Sequence, residues 1–144
     1  MKTSTSNRAE RKRKSNMLSG VFHNGMIVKM LQEQVDQIYE YARLTEAEGP
    51  LFAELARIKR ESARTLEKDI QFFTEKSRKI MAAIEAVEDE ELRFVLIQHG
   101  VLRRGHEEIA QELNCSLGTA TKRYSQALDA LDLPVPGAAV EGDV

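Results

Sequence analysis

The amino-acid sequence predicts an all-α protein: a long helical hairpin followed by a compact C-terminal unit of three short helices. Two observations carry this expectation. Apolar residues recur every three or four positions along most of the chain, the mark of helices that bury one stripe. The 144 residues include 8 Gly, 3 Pro and no Trp, with 31% charged residues, a profile that fits a mostly helical protein.

Residues 1–16 hold six cations, Lys2, Arg8, Arg11, Lys12, Arg13 and Lys14, against Glu10, a net +5. With so little apolar content they are expected to form a disordered basic tail. Such a run either holds a DNA backbone through counterion release or merely solubilises the chain. Between 17 and 25, Ser19, Gly20, Asn24 and Gly25 read as turn signals around Met17, Leu18, Val21 and Phe22. A helix then follows from about 26 to 46. Its stripe is Ile27, Leu31, Val35, Ile38 and Ala42, with Met30 and Tyr41 alongside. Gly49 ends it and Pro50 opens the next helix.

From Leu51 to Val87 the stripe reads Leu51, Leu55, Ile58, Ser62, Leu66, Ile70, Phe73, Ser77, Ile80, Ile84, Val87, without Gly or Pro. That is a helix of roughly 35 residues, or ~50 Å. The preceding helix covers part of it, making 17–87 a helical hairpin and oligomerisation region. The part near Phe72, Phe73, Ile80 and Met81 needs another chain or the C-terminal unit. A homo-oligomer is therefore expected, most simply a dimer, with a folded-back monomer as the alternative. At the junction, Glu88 to Glu91 contain no Pro, so the helix is expected to bend gently or run through.

Residues 88–132 contain the three short helical stretches. Leu92, Val95, Leu96 and Leu102 mark the first. Ile109, Ala110 and Leu113 mark the second, in HEEIAQEL. Asn114, Cys115 and Ser116 interrupt, and Ser116 fits an N-cap. Leu117, Ala120, Tyr124, Ala127, Leu128 and Leu131 give the third a buried stripe. Two helices joined by so short a turn form a helix-turn-helix, which can lay its second helix in a DNA major groove. On the outer face, Lys122 and Arg123 suit phosphates or guanine edges, Gln126 suits adenine, and Thr119 suits a thymine methyl or phosphate. Arg103 and Arg104 stand before the second helix, where a backbone contact is expected. A solvated face of an interaction domain is the competing reading. Residues 133–144, with two Pro and two Gly, read as a flexible tail.

The stretch from Arg93 to Leu128 resembles, without a gap, the fourth conserved region of sigma-70 family factors, which recognises the promoter −35 element. The matching cues are Val95, Leu96, Glu107 to Ala110, Leu113, Ser116, Gly118, Thr119, Arg123, Ser125, Ala127 and Leu128. The resemblance implies a recognition helix from Ser116 onward. It makes Ser116, Gly118, Thr119, Thr121, Lys122, Arg123 and Gln126 candidate DNA contacts. Gly100 stands where the family often has an aromatic, Arg104 where it often has Leu, and Asn114 where Gly is common. Thr121 and Gln126 replace frequent basic residues. No segment resembles the region that melts the −10 element, so a full sigma factor is not expected. The architecture is similar to phage regulators of the ArpU/RinA type. That likeness implies a transcription regulator of phage or prophage origin in the bacterial cytoplasm. Its partners would be double-stranded DNA and RNA polymerase. The alternatives are a phage small-terminase-type DNA-packaging subunit and an adaptor that binds RNA polymerase or a sigma factor.

No catalytic site, metal site or cofactor is expected. Cys115 has no disulfide partner and reads as core filling. His23, His99 and His106 lack zinc-ligand spacing, and HEEIA lacks the second His of a zinc-protease motif. Glu61 with Arg64 and Glu75 with Lys79 are ordinary helix-surface pairs. No run of eighteen apolar residues predicts a membrane span, and the basic start lacks a signal-peptide core.

Overall fold

The computed structural model describes residues 4–133, with side chains from Asn7 onward. All regular structure among them is helical. The α-helices are α1 (Ser4–Ala47), α2 (Ala53–Glu85), α3 (Glu90–Val95), α4 (His106–Glu112) and α5 (Leu117–Ala130). A 3-10 turn, Pro50–Phe52, precedes α2, and a π-helical turn, Leu96–Val101, follows α3. The chain forms two compact units. One, the split unit, joins the residues up to Phe22 with those from Arg78 onward; the other, the hairpin unit, is His23–Ser77.

In the hairpin unit α1 and α2 are tied in antiparallel order. The Tyr39 hydroxyl donates to Glu67 at 2.5 Å, and nearer the turn Arg60 pairs with Glu46. Gly49 turns the chain at φ 129°, a conformation open to glycine and rare for residues with a Cβ. Val35 and Ala42 are buried as their stripe predicts. In α2 the buried residues are instead Ala56 and Ala63, while Leu51, Leu55 and Ile58 are 93%, 40% and 49% exposed. Alanines let two helices approach closely. Leu55 and Ile58 lie roughly 100° and 160° around the helix from Ala56, away from the partner.

The split unit holds a larger core: Leu18, Ile80, Ile84, Val87, Val95, Leu96, Val101, Ile109, Tyr124, Ala127, Leu128, Leu131 and Leu133. Its composition corrects the predicted domain boundaries at 16/17 and 87/88. Ile80, Ile84 and Val87 share a core with α3, α4 and α5, as does Leu18 of α1. The predicted disordered tail is helical from Ser4, and the predicted turn at 17–25 is uninterrupted helix. Tertiary contact rather than local propensity explains both differences. Leu18 is fully buried, and Arg11, Arg13, Lys14 and Ser15 all bond to groups between Tyr124 and Leu133. Gly20 and Gly25 cost about 1 kcal/mol each inside a helix, which packing of this kind offsets.

The junction neither bends gently nor runs through. α2 ends at Glu85, and Asp89 caps a new helix by accepting from Glu91 N at 2.9 Å and Leu92 N at 3.1 Å. Two members of the predicted stripes lie outside the core: Leu102 is 45% exposed and Leu117 49%. Leu133 is buried, so chain order persists into the segment predicted as a flexible tail; residues 134–144 of that prediction lie outside the described residues.

Candidate nucleic-acid interface

The candidate face is built on α5. Ser116 caps it: its hydroxyl accepts from Thr119 N at 3.1 Å and donates to Thr119 Oγ1 at 2.9 Å. The short turn before it holds Asn114 at φ 54°, a left-handed position that Asn tolerates. Cys115 N donates to Ala110 O at 3.0 Å, closing the turn, and the Cys115 side chain is half-buried, short of the core filler expected. Ala120, Tyr124, Ala127 and Leu128 face the core. At 100° per residue Lys122 lies opposite them, flanked by Gly118, Thr119 and Gln126. Gly118, Thr121, Lys122 and Gln126 are exposed.

The nine candidate contacts thus divide. Lys122 and Gln126 present their side chains outward, and Gly118 lets a surface come close. Ser116 and Thr119 spend their hydroxyls on the helix cap, and Thr121 Oγ1 donates to Leu117 O at 3.0 Å. Arg123 is tied to Glu91 of α3 at 2.6 Å, although a guanidinium retains further donors. Arg103 is exposed, at φ 63°. Arg104 is engaged inside the unit. Its guanidinium donates to Gln98 at 2.7 Å, Glu108 at 3.2 Å and Glu112 at 2.5 Å, fastening the loop to α4. That pairing holds the Glu112 carboxyl below its ordinary range. Arg104 is therefore a structural clamp in this arrangement rather than a free backbone contact.

Sequence reading missed the residues that brace the far end of α5. Arg11 forms a two-pronged ion pair with Asp129, at 2.8 and 2.7 Å. Lys14 donates to Leu128 O at 2.9 Å, and Arg13 to Leu133 O at 3.2 Å. Lys14 thereby satisfies a last-turn carbonyl at the negative end of the helix dipole, while Arg13 holds the segment just beyond the helix. The available signal was the spacing of Arg11, Lys14, Ser15 and Leu18, one face of a helix with only one apolar member.

A histidine pair lies beneath α5. The His99 and His106 rings stack at 3.8 Å, and the Tyr124 ring meets His99 edge-on at 4.5 Å. His99 Nδ1 must donate to Arg104 O at 2.8 Å, because a carbonyl only accepts. His106 Nδ1 is buried and has no hydrogen-bond partner among the described residues. Burial, then the neighbouring His99, lowers the pKa of His106 from its ordinary 6.5. Burial raises that of Tyr124, against the opposing effects of its bond with Ser15 and of the Arg103 charge. With the folded pKa of His106 depressed, the unfolded chain binds more protons. This contribution to stability is whole above about pH 6.5, shrinks as pH falls through that value, and levels off below the folded pKa. Urea unfolding should therefore show lower stability at pH 5.5 than at 7.5, and His106→Gln should flatten the difference. The Glu112 contribution fades only below about pH 4.5 and lies outside this window.

Among the described residues no group of three His, Cys, Asp or Glu side chains could hold a metal ion, and no helix is long and apolar enough to cross a membrane. Comparison with known proteins finds no matching family model, no matching curated relative and no matching solved structure.

Proposed function

We propose that the protein is a sequence-specific DNA-binding transcription regulator that lays the helix 116–131 in a major groove. The observation that carries this reading is the two-sided character of α5. One side is sealed into the core, while Gly118, Lys122 and Gln126 stand exposed on the other. A capped helix after a short left-handed turn is the geometry by which a helix-turn-helix offers side chains to base edges. Lys122 supplies a cation for phosphate or guanine, and Gln126 an amide for adenine. Arg123 can serve a phosphate while still paired to Glu91. Phage or prophage origin, RNA polymerase as a second partner, action in the bacterial cytoplasm and a dimeric state complete the proposal; they rest on the resemblance and the stripe pattern described above.

A mobility-shift titration against promoter-region DNA tests it. Lys122→Ala with Gln126→Ala should weaken specific binding by about 30-fold or more, since a good base contact is worth about 1–3 kcal/mol. Binding should also fall steeply as salt rises, as phosphate neutralisation requires. Unchanged binding in the double variant ends the assignment of this face. Salt-independent capture of polymerase without DNA would favour the adaptor alternative.

A further inference from the structure

The hairpin unit leaves an apolar groove open on its surface. Tyr41 and Leu44 of α1, Phe52 of the 3-10 turn and Leu55 of α2 line it together. Tyr41 and Leu44 are each 53% exposed, Phe52 43% and Leu55 40%. Leu51 of the 3-10 turn and Ile58 of α2, at 93% and 49%, flank Leu55 on the same apolar stripe. Farther along α1, Met30 and Met26 are 56% and 60% exposed. Patches of this size are rare on the surface of a monomer.

We propose that a second copy of this chain occupies the groove, so that two hairpins pair about a two-fold axis into a four-helix bundle. This deepens the dimeric part of the reading above, and its test makes no use of DNA. Three observations choose this occupant. The first is need. Leu51, Leu55 and Ile58 of the predicted α2 stripe are exposed, while the fully buried hydrophobics of the unit are Val35, Ala42, Ala56 and Ala63. Two helices meeting through so few and such small side chains lack the core that a bundle requires. The second is area. Tyr41, Leu44, Phe52 and Leu55 of the groove, with Leu51 and Ile58 beside it, expose roughly 600–700 Å² together, approaching the ~800 Å² that each partner buries in a standard interface. The third is charge. Glu48 lines the groove at the turn end, and Lys59 lines its continuation beside Gln37 and Ile38. Lys59 Nζ lies 5.3 Å over the Tyr41 ring. A two-fold axis across the groove sets Lys59 of one chain towards the partner's Glu48, and the reverse, as an isologous interface demands.

Sedimentation equilibrium and light scattering on the full chain test the proposal, with circular dichroism to follow helix content. The native chain should be dimeric at micromolar concentration. Leu55→Glu with Leu44→Glu should weaken association by about 30-fold or more, the effect of losing central apolar anchors. Leu51→Glu, at a side chain 93% exposed, leaves the hairpin fold untouched and should still weaken pairing. Glu48→Lys and Lys59→Glu should each weaken it, and the two together should restore it. A monomeric mass at about 100 µM, weaker than an interface of standard size should give, overturns the proposal. So does a ring of many subunits, or a dimer indifferent to both Leu51→Glu and the double Glu variant. DNA binding by a stable monomer would leave the regulator reading standing while this pairing fell.

Discussion

Replacing Leu18 by alanine should lower the stability of the split unit by about 3 kcal/mol, in the range for truncating a buried leucine. Leu18 is 0% exposed, and its side chain sits against Gly100 in the π-helical turn. A Cβ added at Gly100 would lie 2.6 Å from Leu18 Cδ1, 3.4 Å from its Cγ and 3.3 Å from its Cβ. Gly100→Ala alone should therefore cost about 1–3 kcal/mol through overpacking. In the Leu18→Ala background the Cδ1 and Cγ atoms are gone, and the new methyl enters the space they leave. The two substitutions should couple, with the double variant about 1–3 kcal/mol more stable than additivity predicts. Urea unfolding of the four chains, followed by tyrosine fluorescence and circular dichroism, measures the cycle. Simple additivity would mean that α1 does not pack on this turn in solution. The contact also gives a reason for a glycine at position 100: Leu18 already fills that side of the core.

Removing residues 1–16 should be nearly as damaging, although their composition reads as a dispensable tail. The deletion takes away the Arg11–Asp129 pair, the carbonyl bonds of Arg13 and Lys14, and the bond between Ser15 and the Tyr124 hydroxyl at 2.7 Å. The Arg11 pair is exposed and screened by solvent, so its share is small. The bond of Lys14 to the last-turn carbonyl of Leu128 contributes about 0.3–1 kcal/mol, and the bonds of Arg13 to Leu133 O and of Ser15 to Tyr124 about 1 kcal/mol each. A loss of about 2–4 kcal/mol follows once fraying of α1 towards Leu18 is included. Thermal melts of the full and shortened chains decide it. Equal midpoints would return residues 1–16 to the role of a solubilising tail.

The helical class and the last two helices were legible because their signals are local. The stripe of α5, its Ser116 cap and the Asn114 turn are each set within a few residues. The N-terminal segment was not legible, because its order comes from partners more than a hundred residues away, as with Lys14 and Leu128. Composition alone assigns such a basic stretch to disorder. The choice of Ala56 and Ala63 over Leu55 and Ile58 for the hairpin contact was hidden too. Periodicity marks an apolar stripe but not which neighbour takes it, and small residues are silent in such a pattern. On the candidate face, residue type identified Lys122 and Gln126. It could not show that Arg104 is occupied by Gln98, Glu108 and Glu112, since that pairing depends on how the loop packs against α4.

The bracing of α5 by the opening turns of α1 bears on how the protein comes into being. During synthesis Arg11, Lys14 and Leu18 leave the ribosome long before Leu128, Asp129 and Leu133. Closing so long a loop is entropically slow. A polypeptide halted before that end lacks the partners that seat the opening turns of α1, so the split unit closes only late in synthesis.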